Sequence, residues 1–472
     1  MKNCFARFGA FLRSCYAWDR PFLRNVLVVA LPMIVQELLT ASLHIVDGLM
    51  VSGLGDAAYS AVTQAGRYSF VFQLFVFGAA SGGSIFLSQY WGARDIPRMR
   101  QTMGLSMAAS VIVAVLFSLG AYLFPAQIVS LFLPAGESAE LAQTYLRTVF
   151  PSYLLIAISN TYAMSMKASE KTLPPMMAGL AGIVVNTVLN YALIYGHFGF
   201  EAMGVYGAAL ATVIAAGVQM LCNIAFAYGL HLPAGAPISQ LICRDSAHVR
   251  RFVRTALPVV FNEGLWSLGT SMYSVCYGRM GDTSVAAMGI CTNIDSLVWV
   301  FIFGMMNASA IIVGKTLGTG DRDRAYLYAK RMIAGAMAVG AVMGVVLASI
   351  RLPLIDLFSG LSPEARSKAD IILLLGACTM WFRSFNSINI VGVLRSGGDT
   401  LYSLVLDVGT LWLVGVPLVF IATFALHLPI ELVYLCTCSE EIVKIALGVP
   451  RFKSRKWMNI LTQPKAAKEN PA

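Results

Sequence analysis

The sequence predicts an all-α polytopic membrane protein. Twelve transmembrane helices are expected, in two six-helix lobes that are parallel repeats, with both termini cytoplasmic. Three observations predict this. Only 12% of the 472 residues are charged while 57% are hydrophobic, apolar runs of membrane-spanning length recur along the whole chain, and one internal offset brings two halves into register.

Composition comes first. A soluble domain carries about a quarter charged residues because its surface faces water; half that share, with a mean hydropathy of +0.71, places most of this surface against lipid. Nine cysteines, an odd number, are scattered singly except for Cys436 and Cys438, which on a helix point apart. They carry neither a disulfide framework nor a zinc spacing and read as small apolar fillers. The basic stretch 1–25 lacks a small-residue cleavage site, so the first span reads as an uncleaved anchor.

A hydrocarbon core about 30 Å thick needs roughly 20 helical residues, and only a helix or a closed barrel satisfies its backbone there. Segments 68–90, 101–124, 148–166, 172–195, 204–230 and 332–350 contain no Asp, Glu, Lys or Arg. Segments 26–50, 255–278, 285–313, 371–394, 401–424 and 428–449 carry one or a few ionisable residues in otherwise apolar runs. Lys and Arg in the connecting segments fall 26 on one side and six on the other, the six being Arg67 and Arg147 at span edges with Arg279, Arg351, Arg366 and Lys368. Basic loops stay cytoplasmic, which puts both termini there. The formal charge of +10 follows from this asymmetry and suits anionic headgroups, so nucleic acid is not an expected partner.

An offset of 226 aligns the halves without gaps for about seventy residues. It sets Ala30-Leu31-Pro32 on Ala256-Leu257-Pro258, Glu37 on Glu263, Gly55-Asp56 on Gly281-Asp282, Gly78 on Gly304, Gly92 on Gly318 and Asp95 on Asp321. An even number of spans per half makes the repeats parallel. The expected organisation is a cytoplasmic segment 1–24, an N-lobe 25–232, a linker 233–250, a C-lobe 251–450 and a basic tail 451–472. Pro32 and Pro258 lie early in the first span of each half, where proline can end or kink a helix.

Ionisable groups inside spans are functional candidates by default. Gln36, Glu37, Thr40, His44 and Asp47 share an arc of about 100° on the first span. Two readings of this stripe stay open: a hydrogen-bond cluster internal to the lobe, or cation binding and proton exchange at Asp47, with Glu37 deeper. Asn186 and Asn190, one turn apart on the fifth span, can present two amide oxygens to one point. With Asp47 they would offer the oxygen ligands that Na+ prefers. On the seventh span Glu263 shares a face with Ser267, Thr270 and Ser274. Removal from water favours the neutral form of a carboxyl, so Glu263 could hold a proton and release it when water or a cationic drug arrives; pairing to Arg383 or another intramembrane base is the structural alternative. Asp295, Arg383 and Asp407 also lie in spans, open between structural pairing and substrate contact. Most of the 26 Phe and 22 Met face lipid or neighbouring helices. No P-loop, G-x-S-x-G or HExxH is present, so neither ATP hydrolysis nor an enzyme is expected, and no cofactor.

The strings ALPMIVQELLTASLHIVDGLMVSGLGDAAYSAV, GGSIFLSQYWGARD and NTVLNYALIYGHFGFEAMGVYGAALATVIA in the first half resemble multidrug and toxic compound extrusion transporters, as do ALPVVFNEGLWSLG and NIVGVLRSGGDT in the second. The likeness covers residues 22–457. It implies two six-helix lobes and a secondary active antiporter of the inner (plasma) membrane, expected as a monomer. Such an antiporter exports organic, often cationic and amphipathic compounds in exchange for inward Na+ or H+. Carried over by position, Asp47 and Asn186 match the cation-linked residues of the N-lobe, and Glu263 the seventh-span glutamate of the C-lobe. Asn190 stands where some branches have a second aspartate. The tenth-span aspartate of some members is absent, with Ser384, Phe385 and Asn386 in its neighbourhood. A lipid-linked saccharide flippase of the same broad superfamily is the alternative. Its anionic substrate would want a cavity lined with bases, whereas here Glu37, Asp47, Glu263, Asp295 and Asp407 outnumber Arg383.

Overall fold

The computed structural model describes residues 18–358 and 362–462. The basic residues before Trp18, those after Thr462 and the side chain of His44 lie outside what it describes.

Among the described residues twelve long helices follow one another: α1 Arg20–Ser52, α2 Asp56–Gly92, α3 Ile96–Leu123, α4 Glu137–Ala168, α5 Leu173–Tyr195, α6 Gly204–Gly229, α7 Ser246–Gly278, α8 Asp282–Gly318, α9 Arg322–Asp356, α10 Pro363–Arg395, α11 Thr400–Ala425 and α12 Ile430–Lys453. Nine of them, all but α4, α7 and α12, are long and apolar enough by themselves to cross a bilayer. Several outrun the expected spans because their ends continue through charged turns. Lys167, Lys315, Lys330 and Arg331, counted above as loop charges, sit inside helical ends. Pro32 and Pro258 both lie within uninterrupted helices.

The boundaries have local causes. Asp95 caps α3 by accepting from the Arg98 amide at 3.1 Å, and its repeat equivalent Asp321 caps α9 through the Arg324 amide at 2.9 Å. Gly55 and Gly281, again 226 apart, turn the chain before α2 and α8 with φ of +102° and +94°, a region open to glycine at no steric cost. Outward-facing apolar rows mark the lipid side: Ile112, Leu116, Leu119 and Leu123 on α3, Val342, Val345 and Val346 on α9, all exposed. Such rows would be unfavourable in water.

The contacts gather the chain into two units. One draws on Met1–Ile34, Ser88–Ala93 and Leu265–Ala472, the other on Val35–Leu87 and Arg94–Gly264. In the first, Phe22, Val26 and Met33 of α1 pack with Met305, Ile312 and Leu317 of α8 and with Val393 and Leu394 of α10. In the second, Phe72 and Val76 of α2 meet Ala114 of α3, Leu146 and Tyr153 of α4 and Ala209 of α6.

Close approaches at glycine come in reciprocal sets. In the first unit a Cβ on Gly92 would collide with the Lys315 backbone and one on Gly318 with the Gln89 backbone; the two contacts are the same contact with the halves exchanged. Gly304 presses on Ile34 in that unit, and in the second Gly78 lies against Val260, at 2.9 Å from a built Cβ to its Cα. A pseudo-two-fold between parallel repeats generates such pairs, residue i on j+226 and i+226 on j. Inverted repeats would not run both helices in the same sense.

Candidate cation-coupling site

In the second unit α1 and α5 bring Asp47, Asn186 and Asn190 together. The Asn190 amide nitrogen donates to Asp47 Oδ1 at 2.8 Å and to Asn186 Oδ1 at 3.0 Å. Both asparagines are buried, at 4% and 2% exposure. This differs in one respect from two amide oxygens converging on a point. An ionised carboxylate only accepts, so Asn190 turns its NH2 toward it, and its own Oδ1 is left buried without a partner. Carboxylate, Asn186 Oδ1 and the orphaned Asn190 Oδ1 are the donor types that a hard monovalent cation takes. Tyr145 of α4, near Thr212 of α6, stands within reach of the Asp47 charge. Nothing in the sequence around Tyr145 distinguishes it from other aromatic residues of the spans.

The rest of the α1 stripe lies in the same unit. The Thr40 hydroxyl donates to the Gln36 carbonyl of its own helix at 2.9 Å, a bond that occupies it locally. Gln36 packs beside Gly179 of α5, its Oε1 buried and unpartnered. The opposite charge acting on Glu37 is Lys167, from the last turn of α4. Glu263 lies on α7 against α2, its Cγ 3.2 Å from where a Cβ on Gly78 would stand; glycine there leaves the carboxyl its room.

The first unit holds the remaining candidates. Thr270 is engaged within α7, donating to the carbonyls of Trp266 and Ser267 at 3.1 and 3.0 Å. Arg383 of α10 pairs with Asp295 of α8 at 2.9 Å and lies over the Trp299 ring, so for these two residues the geometry is that of a structural pair. Asp407 of α11 pairs with Lys444 of α12 at 3.0 Å, and Lys444 also faces Glu440 at 3.6 Å and Glu441 at 3.8 Å. Asn386 donates to Glu441 Oε2 at 2.6 Å. Sequence reasoning passed over Glu440, Glu441 and Lys444. Three charges within five residues near the chain's basic end resemble a solvated helix end; what marked them was their position thirteen or more residues inside the last apolar run.

The comparisons with known proteins agree with this architecture. The family model MatE matches residues 32–192 and 258–421, two copies whose starts are 226 apart. Among curated relatives, a protein described as a probable multidrug resistance protein NorM from Bradyrhizobium diazoefficiens is 26% identical, covering 91% of this chain and 92% of its own. The uncharacterized transporter YisQ of Bacillus subtilis is 23% identical over 87% of this chain and 90% of its own. Among solved structures, an outward-facing multidrug resistance MATE transporter of the MOP superfamily superposes with a TM-score of 0.83 at 20% identity, over 92% of this chain and 96% of that one. Reciprocal glycine contacts, twelve long helices among the described residues and a family model matched once in each half lead to one conclusion: the chain belongs to the MatE family of multidrug and toxic compound extrusion transporters.

Proposed function

We propose that this transporter is a secondary active antiporter that exports organic cations in exchange for inward Na+ or H+, and that Asp47 is the group through which export is coupled. The observation that carries the reading is the Asp47–Asn190–Asn186 set: one carboxyl within a membrane-spanning helix, held by an amide, with two amide oxygens beside it. An intramembrane carboxylate with no Lys or Arg at hydrogen-bonding distance among the described residues invites a mobile cation or proton as its counter-ion. Export then follows from competition, because a cationic substrate and the coupling ion cannot both be stabilised by a single negative charge. Glu263 would serve a similar purpose on α7, and Glu37, set against Lys167, would be the weaker participant.

Further parts of the reading rest on the sequence. The 26-to-6 distribution of basic residues supports cytoplasmic termini in an inner (plasma) membrane, and the repeat supports lobes 25–232 and 251–450 moving as bodies about the membrane normal. A monomer suffices, since each half supplies its own polar centre. Saccharide-lipid flipping fits less well: Arg383 and Lys444 each have a carboxylate partner, leaving them poorly placed to receive an anionic headgroup.

The test is export of ethidium from proteoliposomes under an imposed Na+ or pH gradient. The wild type should move the dye with one gradient and not without it. Asp47→Asn should insert normally and reduce gradient-driven movement to background. Wild-type coupled movement that survives Asp47→Asn would overturn the assignment.

A further inference from the structure

The ion network of the first unit holds more acid than its bases can neutralise. Asp295, Asp407, Glu440 and Glu441 lie in membrane-spanning helices with Arg383 and Lys444. Even with the buried Arg395 at the end of α10 counted as a third base, four carboxyls face three positive charges. An uncompensated carboxylate away from water costs several kcal/mol, and such groups become neutral instead. With only 10–22% of these four side chains exposed, the excess negative charge favours a proton or a bound cation on one carboxyl.

A metal ion is disfavoured by Lys444. Its Nζ already occupies the point on which Asp407, Glu440 and Glu441 converge, and among the described residues no three or more His, Cys, Asp and Glu side chains are placed to hold one. A proton is favoured by an independent observation on α10. Asn386, 2% exposed, fixes its NH2 on Glu441 Oε2 and on the Glu441 carbonyl at 2.6 and 2.8 Å. Its Oδ1 is buried with no donor. An acceptor left open at the edge of an acidic cluster calls for a hydrogen-bearing group, and turning the amide over would forfeit both donated bonds.

The carboxyls are not equivalent. Asp407 holds the ammonium at 3.0 Å and Glu441 receives the Asn386 amide, whereas Glu440 has a Tyr273 hydroxyl at 3.3 Å and the ammonium only at 3.6 Å. Gly415 leaves the space for this contact: a Cβ there would collide with the Tyr273 hydroxyl and come within 2.9 Å of Glu440 Oε2. The surrounding backbone is unusual as well. Ile388–Arg395, Val405–Gly409 and Leu411–Gly415 are π-helical, a widened form frequent at functional sites. Charged and titratable groups reach Glu440 from α7 (Tyr273 and Tyr277), α11 (Asp407) and its own helix (Glu441 and Lys444). Beyond Glu441 lie the Arg383–Asp295 pair and Tyr434.

We propose that Glu440 is a membrane-buried proton-binding site, separate from Asp47, with Asp407 and Glu441 holding Lys444 beside it. In one half of the cycle the Glu440 carboxylate takes a proton from water, and in the other the carboxylic acid returns it to water. The proposal rests on the antiporter reading.

The experiment uses the full chain in liposomes and infrared difference spectra of an acid step. The wild type and Asp47→Asn should both show a protonated-carboxyl stretch that titrates, and Glu440→Gln should lose it together with pH-gradient-driven ethidium movement. If Glu440→Gln does not fold, Lys444→Met gives the second measure. Without the ammonium the neutral acid is favoured, so the midpoint of the band should move up by about one pH unit or more. An unchanged band in Glu440→Gln, or an unmoved midpoint in Lys444→Met, would overturn the proposal. So would displacement of the wild-type band by NaCl but not by choline chloride, which would assign the site to Na+. Wild-type vesicles that move no ethidium under any gradient yet show the Glu440 band would count against the export reading and leave the proton site standing.

Discussion

Asp47 and Tyr273 stand 226 residues apart, at equivalent positions of the first helix in each half, and their surroundings have diverged. Asp47 is a carboxylate bound by an amide; Tyr273 is a phenol that reaches a carboxylate on another helix. In the second unit the acid sits on α1 and the neutral amides on α5. In the first unit the acids nearest Tyr273 are on α11 and α12, with a buried ammonium among them. Two copies of one helical frame thus hold charge in two ways. A single carboxylate without a strong counter-ion among the described residues depends on an external cation, whereas a network with its own base adjusts by taking up or losing a proton.

The comparison predicts opposite responses to removing a charge. Lys444→Ala leaves Asp407, Glu440 and Glu441 crowded without their shared ammonium, and should lower stability in detergent by about 3–5 kcal/mol, measured by denaturant titration. Lys444→Met combined with Asp407→Leu should recover most of that loss, since an apolar replacement of a buried pair is often neutral. Asp47→Asn should change stability by less than about 1 kcal/mol while removing coupled export. Equal losses at the two sites would break the distinction between them.

A smaller effect is expected at Asn190, which donates to both Asp47 and Asn186. Asn190→Ala removes the donor from the buried Asn186 Oδ1 and the half-buried Asp47 Oδ1 and should cost about 1–3 kcal/mol. Asn190→Asp should retain stability only where Na+ or low pH neutralises the added charge, read as a melting temperature that depends on Na+ or pH. Independence from both would mean that no cation is held there.

The smallest effect concerns the carboxylates that precede the two repeats, Asp19 and Asp245, also 226 apart. The Phe22 amide, followed by Arg331, holds the Asp19 carboxyl below its ordinary value. At Asp245 the larger cause is the Arg98 guanidinium at 2.7 Å, followed by the His248 amide. A carboxyl lowered by folding stabilises the fold above its unfolded pKa, near 3.9, and that contribution disappears as pH falls through the lower folded value. Asp19→Asn and Asp245→Asn should therefore each flatten the acid limb of the stability curve below about pH 4 and leave neutral pH nearly unchanged. At high salt the Asp245 effect should shrink more, since its leading cause is an exposed ion pair.

Much of the fold was legible because lipid imposes a strict rule on sequence. A run such as 172–195 without a charge has few fates besides a spanning helix, and its helix, α5, ends within a residue of the expected limits. The Asp47 set was legible for the same reason: polar residues in apolar runs are few enough to be matched by spacing and position. Glu440, Glu441 and Lys444 escaped because their spacing suggested a solvated end, and Tyr145 and Tyr273 because an aromatic residue in a span carries no sign of what its hydroxyl meets.

The sequence by itself determined the helices, their number and the two-fold relation of the halves, since these follow from hydrophobic length and from a repeat that one chain displays twice. Only the tertiary structure decided which ionisable groups meet. Arg383 went to Asp295, and Lys444 became the centre of three carboxyls. The turn of the Asn190 amide toward Asp47 was decided there too. The physical reason is that burial sets a price on each charge which depends on its neighbours within a few ångströms, and those neighbours come from helices far apart in the chain.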